Sequence, residues 1–444
     1  MKADVRIAWI LARGSERREG WRIVLTTLGA LAATGFALGA VAIAAVPGQV
    51  SIPYAHGLLN QPGQRAGVVL TLVLLLVPVL GFLGQCARIG AVHRHRRMAA
   101  MRLTGASPAQ VRRIAAVESA FPSLPGSVAA FAAFAVLLAV TGHAPHPAAW
   151  AGFAVVVLAV PVAAALVSVF ALRHVVASPL DQVRRTGPDR GRRAVFGFLL
   201  AGVLISAAGL FVPFSTGVRS AAFPALVLAL VFLTGAGAIW VAGASAAFLG
   251  RRLTPRAQHP AVLIAAGRLA HDPWAAARTH AALLLVTVVG VGFVGVRAVL
   301  LADLHESDNA AGDLAFYTTG IDLAGSAVLV ALAISLCGLA VGTAESLATR
   351  RRGLAVQAAA GVPRTVLARA ALLETALPLA PALLLAGVGG TALYLAYAGL
   401  VGAGSVPLLP LLVPVAVYAA CLLAAATSLP LLRRVTHPAE LRFT

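Results

Sequence analysis

The sequence predicts an all-α integral membrane protein of ten transmembrane helices, and three observations carry that prediction. Residues of the AVILMFWYC class make up 60% of the 444 residues and only 11% are charged, whereas a soluble protein needs about a quarter of its residues charged. The apolar residues gather into runs of about 20 or more, long enough to cross a hydrocarbon core. The basic residues lie almost wholly in alternate connections between those runs.

The ten runs are 23–45, 66–87, 114–140, 149–172, 194–212, 221–249, 279–301, 323–347, 368–396 and 407–432. The first ends in Ala42-Ile43-Ala44-Ala45 shortly before Pro47, which resembles a signal cleavage site. Its length exceeds the roughly 7–15 residues of a signal core, so its retention is expected. The third and ninth runs carry Pro122 and Pro125, and Pro378 and Pro381, near one end. Each proline removes a backbone donor and should kink its helix.

Arginine fixes the expected orientation. The N-terminus, the connections after the second, fourth, sixth and eighth runs, and the C-terminal tail hold 32 of the 35 basic residues, leaving Arg65, Arg219 and Arg297 for the other side. Connections rich in Arg and Lys stay cytoplasmic, so both termini are expected inside, in a bacterial plasma membrane. The acidic residues Asp303, Glu306, Asp308, Asp313 and Asp322 cluster on the opposite side. In this setting the net charge of +20 reports topology, not nucleic-acid binding.

The same composition excludes much chemistry. Lys2 is the sole lysine, and a P-loop needs Gly-Lys-Ser/Thr after a Gly-rich turn; the chain is not expected to be an ATPase by itself. Cys86, Cys337 and Cys421 fit no metal or redox spacing and read as small packing residues. His143 and His146 have no Cys or carboxylate beside them, so no metal site is assigned. With no Ser-His-Asp, paired-carboxylate or HExxH arrangement, catalytic residues and cofactors are both expected to be none. Gly35/Gly39 and Gly338/Gly342 have the spacing of closely packed helices.

An internal repeat organises the chain. At an offset of 256 residues, 94–125 aligns with 350–381 without a gap: Arg94 and Arg96 fall on Arg350 and Arg352, Gly105 on Gly361, Arg113 on Arg369, Glu118 on Glu374, Pro122 on Pro378 and Pro125 on Pro381. Only seven glutamates occur in the chain, so the coincidence of two within one frame is informative. Arg22 also falls on Arg278, and Ser178-Pro179-Leu180 echoes His437-Pro438-Ala439. The expected organisation is 4+2+4: a first four-helix repeat at 1–180, a two-helix insert with basic linkers at 181–260, and a second four-helix repeat at 261–444. An even number of spans between equivalent points makes the repeats parallel.

The segments 96–118, from Arg96-Arg97 through Arg102, Gly105 and Ser107 to Gln110 and Glu118, and 351–374, from Arg351-Arg352 through Gly361 and Pro363 to Glu374, resemble the cytoplasmic motif of FtsX-like ABC transporter permeases. The ten-span arrangement is similar to the mechanotransmission branch that includes bacitracin-resistance permeases. Three departures stand out. Arg97 and Gly353 occupy a position where that family often has Glu, and Ala358 replaces Arg102. The connection between the seventh and eighth spans, near 302–322, leaves no room for the large extracellular domain of the bacitracin-type branch.

The resemblance implies that the two basic segments dock a separate cytoplasmic ABC ATPase, two copies to one chain. The coupling residues would be Arg94, Arg96, Arg97, Arg102, Gly105, Arg113, Arg350, Arg351, Arg352, Gly361 and Arg369. Glu118, Pro122, Glu374 and Pro378 would be structural or hinge positions, with each glutamate near the membrane interface and within reach of an arginine; Glu345 is read likewise. The implied activity is export or extraction of a membrane-embedded substrate such as a lipid, lipopeptide or hydrophobic antibiotic. Two alternatives are an ion-coupled secondary transporter, which calls for ionisable groups at mid-membrane, and a signalling subunit that exports nothing. The basic segments can also be read as loops on anionic lipid headgroups, and the acidic outer segment as a solvated loop.

Overall fold

A computed structural model of the chain describes residues 17–51, 57–89, 97–98, 100–142, 145, 147–177, 219–306, 314–401 and 407–436. The described secondary structure is helical, with no strand among the described residues. Nine helical stretches among them are long and apolar enough to cross a membrane, and they fall on nine of the ten predicted runs. The remaining run, the fifth at 194–212, lies outside the described residues, as do Arg94, Arg96, His143, His146, Asp308 and Asp313.

The chain divides into two compact units. The first comprises residues 1–186 and 315–327, and the second 187–314 and 328–444. In the first unit, α1 (Arg17–Ala44) packs along α2 (Pro62–Arg88), and α3 (Pro108–Ala120) is followed by α4 (Ser123–Val140) and α5 (Pro147–Ala177). Its apolar centre is Leu38, Ala149 and Phe153, with Phe134 edge-on to Phe153 at 5.4 Å between ring centroids. At Gly126 the backbones of α4 and α1 approach so closely that an added Cβ would collide with the Thr27 carbonyl. The buried Thr34 hydroxyl donates to Ser127 at 3.0 Å across the same interface.

At the far end of α2, Arg65 is 4% exposed, and its guanidinium donates to the backbone carbonyls of Leu59 and Gly48. This arginine lies in an otherwise Arg-poor connection, and it ties the backbone carbonyls of Gly48 and Leu59 to the start of α2.

The second unit contains α6 (Arg219–Leu253), α7 (Pro260–His271), α8 (Trp274–Glu306), most of α9 (Leu314–Thr349), α10 (Arg351–Ala359), α11 (Arg364–Val401), α12 (Val413–Ala426) and the one-turn α13 (Leu431–Val435). Its core joins Ile239 of α6, Leu283 and Leu284 of α8, Leu339 of α9, Leu379 and Leu383 of α11 and Val417 of α12. The short α7, within a connection between spans, buries Ala261, Ala265, Ala266 and Leu269 and leaves Leu263 exposed.

Three details differ from the sequence expectation. The third run is broken into α3 and α4 at Phe121-Pro122, whereas α11 continues through Pro378 and Pro381. The first copy has Ser123 and Gly126 around its prolines where the second has Leu379 and Ala382, and the stronger helix formers carry the second helix across. The acidic connection near 302–322 is shorter than expected, because α8 extends to Glu306 and α9 begins at Leu314. Finally, Gly39 meets only Leu72 at 3.5 Å and Gly35 faces open space, so the tight glycine contacts of α1 are at Gly29 against Leu83 and with Gly126 of α4, not at the Gly35/Gly39 pair.

Candidate functional site

Each unit builds the same small structure between two spans. In the first, residues 97–98 and 100–103 are helical, and a turn at Thr104-Gly105 leads to α3. In the second, α10 ends at Ala359, and a turn at Ala360-Gly361 leads to α11. Gly105 and Gly361 have φ of 100° and 90°, the left-handed region that glycine enters without steric cost.

The hydrogen bonds of the two turns correspond bond for bond. Gly105 N–H donates to Arg102 C=O at 3.2 Å and Ala106 N–H to Met101 C=O at 2.9 Å. Gly361 N–H donates to Ala358 C=O at 3.0 Å and Val362 N–H to Gln357 C=O at 3.0 Å. These are the two bonds of a Schellman cap, which satisfies carbonyls at a helix end and reverses the chain sharply.

The following helices start differently. Ser107 caps α3 by accepting from Gln110 N–H at 3.2 Å, while the Gln110 side chain accepts from Ser107 N–H at 2.8 Å. This is a reciprocal capping box. In the second copy Pro363 takes that place and its carbonyl accepts from Val366 and Leu367 N–H.

Apolar packing ties each short helix down. Met98, Val111, Ile114 and Ala115 form one buried cluster in the first unit. Leu354 and Leu367, the residues equivalent to Met98 and Val111, share a cluster with Leu347, Leu432 and Val435 in the second. The short helices therefore sit fixed on the helices that follow them. Each also leaves one large apolar side chain out in the open: Leu103 is 66% exposed and Val356 is 52% exposed. Both lie between the spanning segments, not within them.

The glutamates face inward. Glu118 is 3% exposed, accepts from Arg97 Nη2 at 2.8 Å, and lies 3.8 Å from Arg22 Nη2. Glu374, 16% exposed, accepts from Arg350 Nη1 at 2.9 Å. Arg350 donates in addition to the Ser346 carbonyl and hydroxyl, each at 3.0 Å. Arg278, the counterpart of Arg22, pairs instead with Asp272 at 3.0 Å.

The remaining basic positions divide. Arg102 turns back and donates to the Ala106 carbonyl at 2.8 Å, so its guanidinium reinforces the turn. Arg113, Arg352 and Arg369 are exposed, and Arg351 is half-buried. The prolines also make specific contacts. The Pro122 carbonyl accepts from the Thr27 hydroxyl at 2.7 Å, and the Pro378 carbonyl from the Ser245 hydroxyl at 3.4 Å. Missing from the sequence reading were α7 and its Arg268, which reaches the surroundings of Arg350 and Glu374. Its apolar positions are too few to resemble a span.

Residues 68–180 match the family model described as FtsX-like permease C-terminal. That stretch runs from within α2 through the short basic helix, the Gly105 turn, Glu118 and α5. Neither curated proteins nor solved structures yield a match. With spanning helices on both sides of the basic turn, the match on 68–180 marks this part of a multi-pass helical membrane protein as similar to FtsX-like permeases and supports an FtsX-like ABC permease.

Proposed function

We propose that the two basic turns are the points at which a cytoplasmic ABC ATPase drives this permease, and that the driven step is extrusion or extraction of a membrane-embedded, hydrophobic substrate. The observation that carries the reading is the duplication of one rigid device: a short basic helix, closed by a glycine Schellman turn and stapled to the next helix, with an exposed apolar residue, Leu103 or Val356, beside exposed arginines. An exposed leucine or valine outside the spans is costly in water and useful at an interface. In the second copy the turn is packed onto the 38-residue α11, so force on it passes to that helix without first being absorbed in a loop, and in the first it passes to α3 and across the break at Pro122 to α4.

Two such devices in one chain suit two ATPase subunits, and the arginine distribution supports placing the turns and both termini on the cytoplasmic side. The ten-span, parallel-repeat organisation and the kinship with the mechanotransmission branch belong to the same proposal. In it, Glu118 and Glu374 are anchors that hold a short basic helix to the helix carrying the movement, not ion carriers.

The test is assembly with the cognate ABC ATPase. Leu103→Asp and Val356→Asp should each weaken copurification of the ATPase without reducing the amount of folded permease, and the double variant should abolish it. Undiminished copurification by the double variant would remove the docking assignment.

A further inference from the structure

A cavity of about 460 Å³ lies within the second unit, bounded by α7, the end of α9, α10 and α11. Its walls are apolar, with Leu263 and Ile264 from α7, Leu347 from α9, Leu354 from α10 and Leu367 from α11. Its polar side chains include Arg268, His271, Arg350 and Glu374. Both α7 and α10 lie in connections between the spanning segments, so the cavity sits beside the ends of the candidate spans Phe316–Thr349 and Arg364–Gly399.

The charges do not balance. Glu374 is taken by Arg350 at 2.9 Å, and the Arg268 guanidinium makes no hydrogen bond or ion pair among the described residues, its backbone carbonyl alone accepting from Asp272 N–H. Burial, and next the like charge of Arg350, push the Arg268 guanidinium below its usual pKa, against the opposing pull of Glu374 and Asp272. A half-buried guanidinium beside a second one, with a single carboxylate already engaged, is an environment that an added anion stabilises.

We infer that this cavity binds the phosphate headgroup of an anionic phospholipid, with Arg268 and Arg350 on the phosphate and the leucine-rich walls against the glycerol and upper acyl carbons. Arginine forks match phosphate oxygens, and basic pockets between membrane helices hold anionic headgroups. The volume lies in the range of small-ligand sites. The apolar share of the walls selects a lipid-borne phosphate over a soluble one, which would leave those leucines facing water. The inference goes beyond ATPase docking: Arg268 on α7 lies outside both basic segments, while Arg350 and Leu354 are shared with the second.

A bimane fluorophore on Gln357→Cys, in a background with Cys86, Cys337 and Cys421 replaced by alanine, reports occupancy because Gln357 lines the cavity. In nanodiscs, chain-brominated phosphatidylglycerol should reach half-maximal quenching at a roughly tenfold lower mole fraction than brominated phosphatidylcholine, the discrimination of one charge-assisted contact. Arg268→Gln should erase the difference, Arg268→Lys should keep part of it, and Glu374→Gln should increase it by removing the competing anion. Glycerol phosphate in solution should not relieve the quenching. Equal quenching by both lipids, or a preference untouched by Arg268→Gln, overturns the site. Relief by glycerol phosphate overturns the lipid as its source. Should Arg268→Gln fail to fold, Glu374→Gln decides: a weaker preference in that variant contradicts the inference.

Discussion

Arg97 holds Glu118 at 2.8 Å from a position whose counterpart in the second repeat is Gly353. Glu374, the counterpart of Glu118, is held instead by Arg350, which corresponds to Arg94. The repeat thus keeps the carboxylate and changes which arginine reaches it. Arg97 and Arg350 are three residues apart in register, nearly one helical turn, so each can present a guanidinium to the same side of the next helix.

The two carboxylates should differ in weight. Glu118 is more deeply buried and lies near two arginines, so Glu118→Gln should destabilise its unit by about 3 kcal/mol, the loss expected when one partner of a buried pair is removed. Glu374→Gln, in a more open site, should cost about 1 kcal/mol. Thermal unfolding of the purified permease in one detergent measures both, and equal losses would contradict the assigned burial.

Neither substitution should create dependence on an ion gradient. In proteoliposomes with the cognate ATPase, transport by Glu118→Gln should remain driven by ATP at whatever rate survives. Uptake that follows an imposed proton gradient without ATP, and disappears in Glu118→Gln, would favour a secondary transporter.

The Gly126 contact predicts a sharp contrast within the first unit. Gly126→Ala puts a Cβ against the Thr27 carbonyl and the backbone of Leu31, so the helices must separate at a cost of about 1–3 kcal/mol. Gly35→Ala, where a Cβ meets nothing within 4 Å, should be nearly silent. Similar thermal midpoints for the two variants would contradict the close packing of α1 and α4.

Orientation has a direct readout. In a cysteine-free background, single cysteines at 56, 144, 310 and 402 should label from outside intact cells, and those at 95, 185, 258 and 355 should be protected. Outside labelling at 185 or 258 would break the two-span insert and with it the parallel relation of the repeats.

The spans were legible because bilayer burial imposes long apolar runs, and Gly105, Gly361, Glu118 and Glu374 were legible because a fixed offset repeats them. The partner of each glutamate was not, since a guanidinium on a flexible stem can reach from several positions and sequence register does not choose among them. Proline positions indicated disturbance in both copies, yet only the helix propensity of the intervening residues separates the break at Pro122 from the continuous α11. The cavity beside Arg268 has no linear signature, because its walls come from α7 and, about 75 residues further on, from the successive ends of α9, α10 and α11. Close packing at Gly126 depends on which face meets a neighbour, and a small-residue spacing carries no information about that face.

The most direct test of ATPase-driven coupling is the hydrolysis rate of the cognate ABC ATPase with wild-type permease, Gly105→Pro and Gly361→Pro in equal, membrane-inserted amounts. Proline cannot adopt the positive φ of either turn and lacks the N–H that Gly105 gives to Arg102 and Gly361 to Ala358. The permease alone should hydrolyse no ATP, wild type should change the rate of the ATPase, and each proline variant should lose that effect. The loss should be greater for Gly105→Pro, whose turn is the one reinforced by Arg102. Regulation by both variants indistinguishable from wild type would contradict the account, and the basic turns would then be loops resting on lipid headgroups.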